Sequence, residues 1–224
     1  MNKIKEQVVL IHGLGRSASS MNKIKRALTE QGYHILSVGY SSSLKNFELI
    51  LEQCLSQITP WINTIKPVHF IGHSFGGIII RGILAKQYNW KIKSCIMLGT
   101  PNKGTRVASY ISSHWLLKYF CPKITAQLSP QSNLINQLLE PEITTGIIAG
   151  TKSFHLLLPI TWFYKKATNN KPGDGVVELF NTRCSNMSDF IALPLHHSLM
   201  MWNSVLIKHI VHFLQTKKFI PYNE

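Results

Sequence analysis

The stretch VHFIGHSFGG at residues 68–77 constrains the fold more than any other part of the chain. Its apolar first half predicts a buried strand, and the glycines that follow predict a tight turn with Ser74 at its tip. A Gly-x-Ser-x-Gly turn between a strand and a helix holds its serine in a strained backbone conformation, and larger residues at the glycines would collide with the packed elements. Chance also produces this pattern, so its meaning depends on the rest of the chain.

Strand and helix patterns alternate four times in the first half of the sequence. Strands are predicted at 7–11, 35–40, 92–98 and before the serine turn, and helices at 18–30, 47–65 and 75–88. We expect the second helix to be interrupted or kinked at Pro60. Such alternation predicts an α/β fold with a mostly parallel central sheet flanked by helices and a site at the carboxyl edge of the strands. Further strands are predicted at 145–149 and 190–193, and a closing helix at 201–214.

The chain of 224 residues shows no interdomain linker, which predicts a single domain over 1–224. Two insertions interrupt the alternation of strand and helix patterns. The first, at 105–139, contains helical patterns at 107–120 and 130–139, and the second lies at 151–170. Either insertion is expected above the carboxyl edge of the sheet, as a lid or a pocket wall. An ordinary core helix is the alternative for the first of them.

Composition limits the partners. The formal charge of +14 comes mostly from scattered lysines, 19 against 5 arginines, so nucleic acid is not expected. Attraction to an anionic membrane surface or substrate stays open, as does a lysine-rich surface without a partner. Neither a signal peptide nor a membrane span is seen, which predicts a cytoplasmic protein. The four cysteines lack metal-ligand spacing and are expected to be mainly buried free thiols, and no cofactor or metal is expected.

A serine hydroxyl needs a base to accept its proton and an acid to orient that base. The two aspartates of the chain, Asp174 and Asp189, both follow Ser74. Asp174 lies between glycines in a turn after the 145–149 strand and is favoured. Asp189 is expected at the far end of its strand, and Glu178, inside a predicted strand, is a weaker candidate.

Histidines supply the candidate base. His196 and His197 follow the 190–193 strand, and spacing does not separate them. His209 and His212 belong to the closing helix and are expected to be surface or half-buried residues. His12 and His73, with Gly13, are expected to shape the pocket, as is His196 if it is not the base.

Stabilising an oxyanion requires two or more preorganised N–H donors. The amide of Phe75, at a helix N-terminus, and that of Leu14, in the His-Gly-Leu-Gly-Arg turn, are the candidates.

The sequence resembles the α/β-hydrolase superfamily, and within it the small bacterial lipases and esterases. The resemblance rests, in family order, on residues 12–16, 72–77, 99–104, 173–177 and 193–200. It implies Ser74 as nucleophile, Asp174 as acid and a histidine of the 196–197 pair as base. Relatives commonly carry Ser-His-Thr or a similar run before Gly-Leu-Met, which aligns the base with His197, although this chain has a second histidine and no glycine there.

Together these features predict a cofactor-independent serine hydrolase that cleaves esters with an apolar acyl group through an acyl-enzyme on Ser74. An acyltransferase or thioesterase would use the same residues. A binding protein on a hydrolase scaffold is the remaining alternative. The sequence leaves the acyl chain length and the oligomeric state open.

Overall fold

The fold is known from a computed structural model that describes residues 6–43, 46–115, 123–157 and 159–221, apart from the side chains at 159 and 160. Six strands lie in this part of the chain: β1 (Gln7–Ile11), β2 (His34–Val38), β3 (Val68–His73), β4 (Ile92–Leu98), β5 (Thr145–Gly150) and β6 (Asp189–Leu193). They form one sheet in the order β2-β1-β3-β4-β5-β6, and every neighbouring pair is parallel. The predicted α/β-hydrolase fold is confirmed, with a sheet that is wholly parallel in the described part.

Helices cover both faces of this sheet. They are α1 (Asn22–Glu30), α2 (Phe47–Trp61), α3 (Phe75–Ala85), α4 (Arg106–Ser113), α5 (Asn133–Gln137), α6 (Tyr164–Thr168) and α7 (Ser204–Thr216). Short 3-10 turns at Ala18–Met21, Lys123–Leu128, Pro159–Trp162, Leu179–Thr182 and His197–Trp202 join them to the strands. Because all strands run in the same direction, they end at the same edge of the sheet, where the loops that follow them gather.

Alternation along each strand divides the core into two layers. In β1, Val9 and Ile11 face α2 and α3, whereas Val8 and Leu10 face α1 and α7. Both sets are fully buried, as expected for a strand in the centre of a parallel sheet. The sheet is thus a rigid support for the loops at its carboxyl edge.

Several element ends differ from the prediction. Strand β2 stops at Val38 because the side chain of Gln57, on α2, bonds both the N–H and the carbonyl of Gly39, which therefore leaves the sheet. Helix α2 ends at Trp61 with Pro60 in its last turn, so the predicted extension to residue 65 is wrong.

The later helices are shorter than their patterns. Helix α4 ends at Ser113, and the remainder of the predicted 107–120 helix falls largely in 116–122, outside the described residues. Ser132 caps α5, which spans less than the predicted 130–139. A 3-10 turn occupies 197–202, so the closing helix begins at Ser204, where the Asn203 side chain accepts two backbone N–H bonds.

Two other expectations concern the state of the cysteines and the presence of a membrane-spanning helix. Cys54, Cys95 and Cys184 are free and buried, and burial raises the pKa of each thiol to about 12. Cys121 lies outside the described residues. Within the described part, no helix combines the length and apolar character needed to cross a membrane.

Candidate active site

Ser74 stands at a sharp turn between β3 and α3. Its φ of 54° and ψ of −120° are unusual for a residue with a side chain. The flanking glycines make the turn possible: a Cβ on Gly72 would lie 2.5 Å from the backbone nitrogen of Gly77, and one on Gly76 would collide with the carbonyl of Ile11. The sequence therefore builds a strand-to-helix turn that lifts one hydroxyl above the sheet edge.

His197 contacts both Ser74 and Asp174. Its Nε2 lies 2.9 Å from Ser74 Oγ, and its Nδ1 lies 2.8 Å from Asp174 Oδ2. The backbone N–H of His197 also donates to the Asp174 carbonyl, at 3.0 Å. The structure thus brings the predicted serine, acid and histidine into one hydrogen-bonded chain, and it is His197 rather than His196 that joins it.

Asp174 is fully buried in the loop between β5 and β6. Its Oδ1 accepts backbone N–H bonds from Val176 at 3.0 Å and Val177 at 2.8 Å, while Oδ2 faces His197. These bonds hold the carboxylate in place and leave it poised to accept the Nδ1–H of the imidazole. A neutral His197 then carries its free lone pair on Nε2, toward the serine.

The other acid candidates lie elsewhere. Asp189 begins β6, at the opposite end of that strand from the loop that holds His197, as expected. Glu178 was expected inside a strand, and that expectation is wrong: it makes one isolated bridge to Gly173 and precedes a 3-10 turn. Its carboxylate accepts the backbone N–H of Arg106 instead of approaching the histidine.

His73 is buried beside His197, with ring centroids 4.9 Å apart, and its Nε2–H donates to the His197 carbonyl at 3.0 Å. Burial, with a smaller contribution from the neighbouring His197, lowers the pKa of His73 well below its ordinary value. It is a neutral support for the loop that carries His197. The sequence placed it near the pocket, but gave no sign of this bond.

His12 lies beneath the first glycine turn. Its ring stacks on Tyr40 at 4.2 Å, and its Nδ1 donates to the carbonyl of Gly13 at 2.8 Å. That carbonyl belongs to the same peptide unit as the Leu14 N–H, so the bond fixes the direction of this amide. Burial lowers the pKa of His12, which favours the neutral ring.

Leu14 and Phe75, the two candidate amide donors, flank Ser74. Leu14 lines the cavity in front of the serine. Phe75 is the first residue of α3, where amides have no partner within the helix and the helix dipole favours negative charge. Gly13 packs against the serine, since a Cβ there would lie 3.0 Å from that of Ser74.

An apolar pocket of about 180 Å³ opens beside Ser74. Predicted residues among its lining are Leu14, His73, Ser74 and His197. His12, Gly13 and His196 are not among the lining residues; His196 instead meets the ring of His155 edge to face at 4.9 Å. The other lining residues were not candidate site residues, but each lies in the insertion 105–139 or in a run that carries the family resemblance: Gly15, Arg16, Thr105, Val107, Ala108, Ile111, Thr125, Leu128, Val176 and Ser198.

The insertion 105–139 therefore forms a wall of the pocket through α4 and the 123–128 turn. The insertion 151–170, which was expected to line the pocket as well, contributes none of the lining residues in the described part. Instead its helix α6 packs against α4, where Tyr164 is buried against Val107 and Ile111. Sequence periodicity could not distinguish the helix that lines the pocket, α4, from the helix that packs against it, α6, because both segments are apolar.

A similar hydrogen-bonded set of serine, histidine and carboxylate side chains lies toward the amino end of the strands. Ser94 Oγ is 2.7 Å from His69 Nδ1, and His69 Nε2 is 2.9 Å from Glu6 Oε2. Ser94 and His69 are fully buried, and burial lowers the pKa of His69 to about 4. No substrate reaches that hydroxyl in the folded protein, so exposure to a cavity distinguishes Ser74 from Ser94. His209 is also buried, in contrast to the expectation, whereas His212 is half-buried.

The strand order, the serine elbow after β3, and the acid and histidine in the loops after β5 and β6 are the arrangement of an α/β-hydrolase. The chain belongs to the palmitoyl protein thioesterase family, whose model matches residues 7–147. It is thus a member of a hydrolase family of the esterase, lipase and thioesterase kind. The resemblance to the α/β-hydrolases is confirmed.

Solved structures agree on the fold. A mature lipase from Bacillus licheniformis superposes with a TM-score of 0.72 at 17% identity, over 98% of this chain and 94% of the lipase. A carboxyl esterase from a metagenome superposes with a TM-score of 0.69 at 14% identity, over 88% of this chain and 66% of the esterase. The phospholipase PlaB from Legionella pneumophila gives 0.60 at 16% identity, over 80% of this chain and 46% of that protein.

Proposed function

We propose that this protein is a serine hydrolase that cleaves carboxylic esters with an apolar acyl group through an acyl-enzyme on Ser74. The observation that carries the proposal is the chain of hydrogen bonds from Ser74 Oγ to His197 Nε2 and from His197 Nδ1 to the buried Asp174, at 2.9 and 2.8 Å. Ser74 and His197 both line an apolar pocket. Membership of a hydrolase family supports the same conclusion.

In the proposed reaction, His197 takes the proton of Ser74 Oγ as the oxygen attacks the acyl carbonyl carbon. The oxyanion is held by the amides of Leu14 and Phe75. Collapse of this intermediate breaks the bond to the leaving alcohol, which receives the proton from His197. Water then attacks the acyl-enzyme, His197 accepts one of its protons, and the serine leaves with that proton restored while the carboxylic acid departs.

Thioester hydrolysis is the second candidate, and the family match favours it. The same residues would release a thiol in place of an alcohol. The described part of the pocket, about 180 Å³, is similar to a cavity that holds benzene. It suits a chain of about six carbons, much shorter than a palmitoyl group.

The test compares Ser74→Ala with Ser94→Ala, which removes a hydroxyl from the buried set toward the amino end of the strands. The parent and Ser94→Ala are expected to react with a fluorophosphonate probe and to hydrolyse p-nitrophenyl butyrate, and Ser74→Ala is expected to do neither. Undiminished turnover or labelling in Ser74→Ala would overturn the proposal. Acyl-CoA thioesters of matched chain length, with release of the thiol measured, separate the second candidate from the first. Added alcohol acceptors test acyl transfer.

A further inference from the structure

A group of exposed apolar side chains projects from the loop between β5 and α6. Phe154, Leu156, Leu157 and Trp162 are 52%, 69%, 79% and 53% exposed. Single exposed apolar residues are ordinary, but four within nine positions are not. We call these four side chains, together with Lys152, Lys165 and Lys166, the docking surface.

Hydrogen bonds within the loop hold this surface in shape. Thr161 is buried, accepts the N–H of His155 at 3.1 Å and donates to the His155 carbonyl at 3.0 Å. The indole N–H of Trp162 donates to the Leu156 carbonyl at 3.1 Å. The loop is thus closed on itself beneath its apolar tip, and less conformational freedom is lost when the tip binds.

The charge around the tip has one sign. Residues 143–173 contain four lysines and no aspartate or glutamate. Lys152, Lys165 and Lys166 are all exposed. Lysines attract an anionic surface, while tryptophan and leucine side chains insert at the boundary between lipid headgroups and acyl chains. A soluble acidic partner would satisfy the lysines but would leave the leucines without a matching environment.

The docking surface also lies next to the wall of the pocket. Helix α6 carries Lys165 and Lys166 on its exposed side, and its Tyr164 packs against Val107 and Ile111 of the wall. Phe163 stacks on Tyr110 of α4 at 6.0 Å. A surface that binds here therefore lies beside the pocket that holds Ser74.

From these observations we infer that the docking surface binds anionic lipid membranes, with Leu156, Leu157 and Trp162 entering the headgroup region and the lysines contacting the lipid charges. This binding does not depend on the proposed function. It is therefore measured on protein with Ser74→Ala, so that failure of the catalytic proposal and failure of this inference give different results.

The experiment measures partition onto vesicles of phosphatidylcholine, with and without 30% phosphatidylglycerol, by sedimentation. Lys165→Gln/Lys166→Gln is expected to weaken partition onto the anionic vesicles about 25-fold, from a factor of about five for each lysine. The matched control, Lys25→Gln/Arg26→Gln on α1, makes the same change in net charge at two other exposed residues and is expected to bind like the parent. Leu156→Ser/Leu157→Ser is expected to lose about tenfold or more.

Trp162 gives a second measurement. Brominated lipids are expected to quench its fluorescence, and Trp162→Phe should remove most of the quenched signal. Circular dichroism and thermal unfolding of the leucine variant should match those of the parent, which shows that the variant is folded whether or not the protein hydrolyses esters.

Three results would overturn the inference. The first is no binding to anionic vesicles. The second is equal loss in the two charge variants, which would assign binding to net charge alone. The third is loss in the lysine variant with full binding in the leucine variant, which would show that charge alone holds the protein on the lipid and that Leu156 and Leu157 do not enter the headgroup region.

Discussion

Replacing Asp174 with asparagine tests the hydrogen-bonded chain at the residue that sets its direction. The amide oxygen of the new side chain is expected to keep the two backbone bonds from Val176 and Val177, at 3.0 and 2.8 Å, because only an oxygen accepts them. Its NH₂ group must then face His197 Nδ1, which lies 2.8 Å from the carboxylate in the parent. A donor at this position forces the imidazole proton onto Nε2.

With its proton on Nε2, His197 cannot accept from Ser74 Oγ, so the general base is lost while the packing stays the same. The expected decrease in kcat is about 10⁴-fold, which is about 5 kcal/mol of transition-state stabilisation. The change in stability is smaller, about 1 kcal/mol, since one charge-assisted bond is replaced by a neutral one. The assay is the steady-state hydrolysis of p-nitrophenyl butyrate, with thermal unfolding in parallel.

Asp189→Asn is the matched control. It is the other aspartate of the chain, and its carboxylate accepts the N–H of Phe190 and of Phe219 away from the pocket. Its kcat is expected to stay within about twofold of the parent, because it makes no contact that acts on the reacting atoms. A decrease of less than tenfold in folded Asp174→Asn would refute the reasoning about tautomer control.

Three further predictions concern the supports of the site, the pocket and the far end of the sheet. His12→Phe keeps the stack on Tyr40 but removes the bond to the Gly13 carbonyl, so kcat should fall about tenfold with little change in KM, as measured on the same ester. Ala108→Leu places about three extra carbons in the pocket, so kcat/KM for p-nitrophenyl hexanoate should fall at least about tenfold more than for p-nitrophenyl acetate; equal losses would place the acyl chain elsewhere. His69 is neutral when folded, with its pKa lowered to about 4, and the unfolded chain binds the extra proton as the pH falls below about 6.5. Its contribution to the free energy of unfolding is therefore complete above that pH and is lost toward pH 4, by about 2 to 3 kcal/mol at pH 4.5. Urea unfolding at pH 7 and 4.5 should show a flatter pH dependence in His69→Gln, and an unchanged slope would contradict this assignment.

The parallel sheet was predictable because short, mainly apolar strand patterns alternate four times with helical patterns, and such alternation favours parallel strands joined by helical crossovers. The acid candidate was favoured for a different reason: the chain has two aspartates, and only Asp174 follows a strand on the right side. The structure brings it to His197. Its catalytic role, like those of Ser74 and His197, stays a prediction.

The choice between His196 and His197 depends on geometry that the sequence does not carry. A 3-10 turn begins at His197 and directs that ring inward, while His196 meets His155. The sequence placed the insertion 105–139 at the pocket as a lid or a wall, and α4 and the 123–128 turn form a wall. Which of their side chains line the pocket was not predictable, because tertiary contacts of α4 with the 123–128 turn and with α6 set their orientation. Short elements that are apolar on several sides give a weak signal of which face is buried.

The backbone of Ser74 has a thermodynamic consequence for the whole molecule. Its positive φ costs of order 1 to 3 kcal/mol in a residue with a side chain, and this is a sizeable part of the net stability of a typical domain. Glycine would occupy the same conformation with less steric conflict. The chain therefore carries at this position a residue that is worse for folding than the simplest alternative. Keeping a serine hydroxyl at position 74 at the expense of folding stability therefore indicates a functional role, even when no substrate is known.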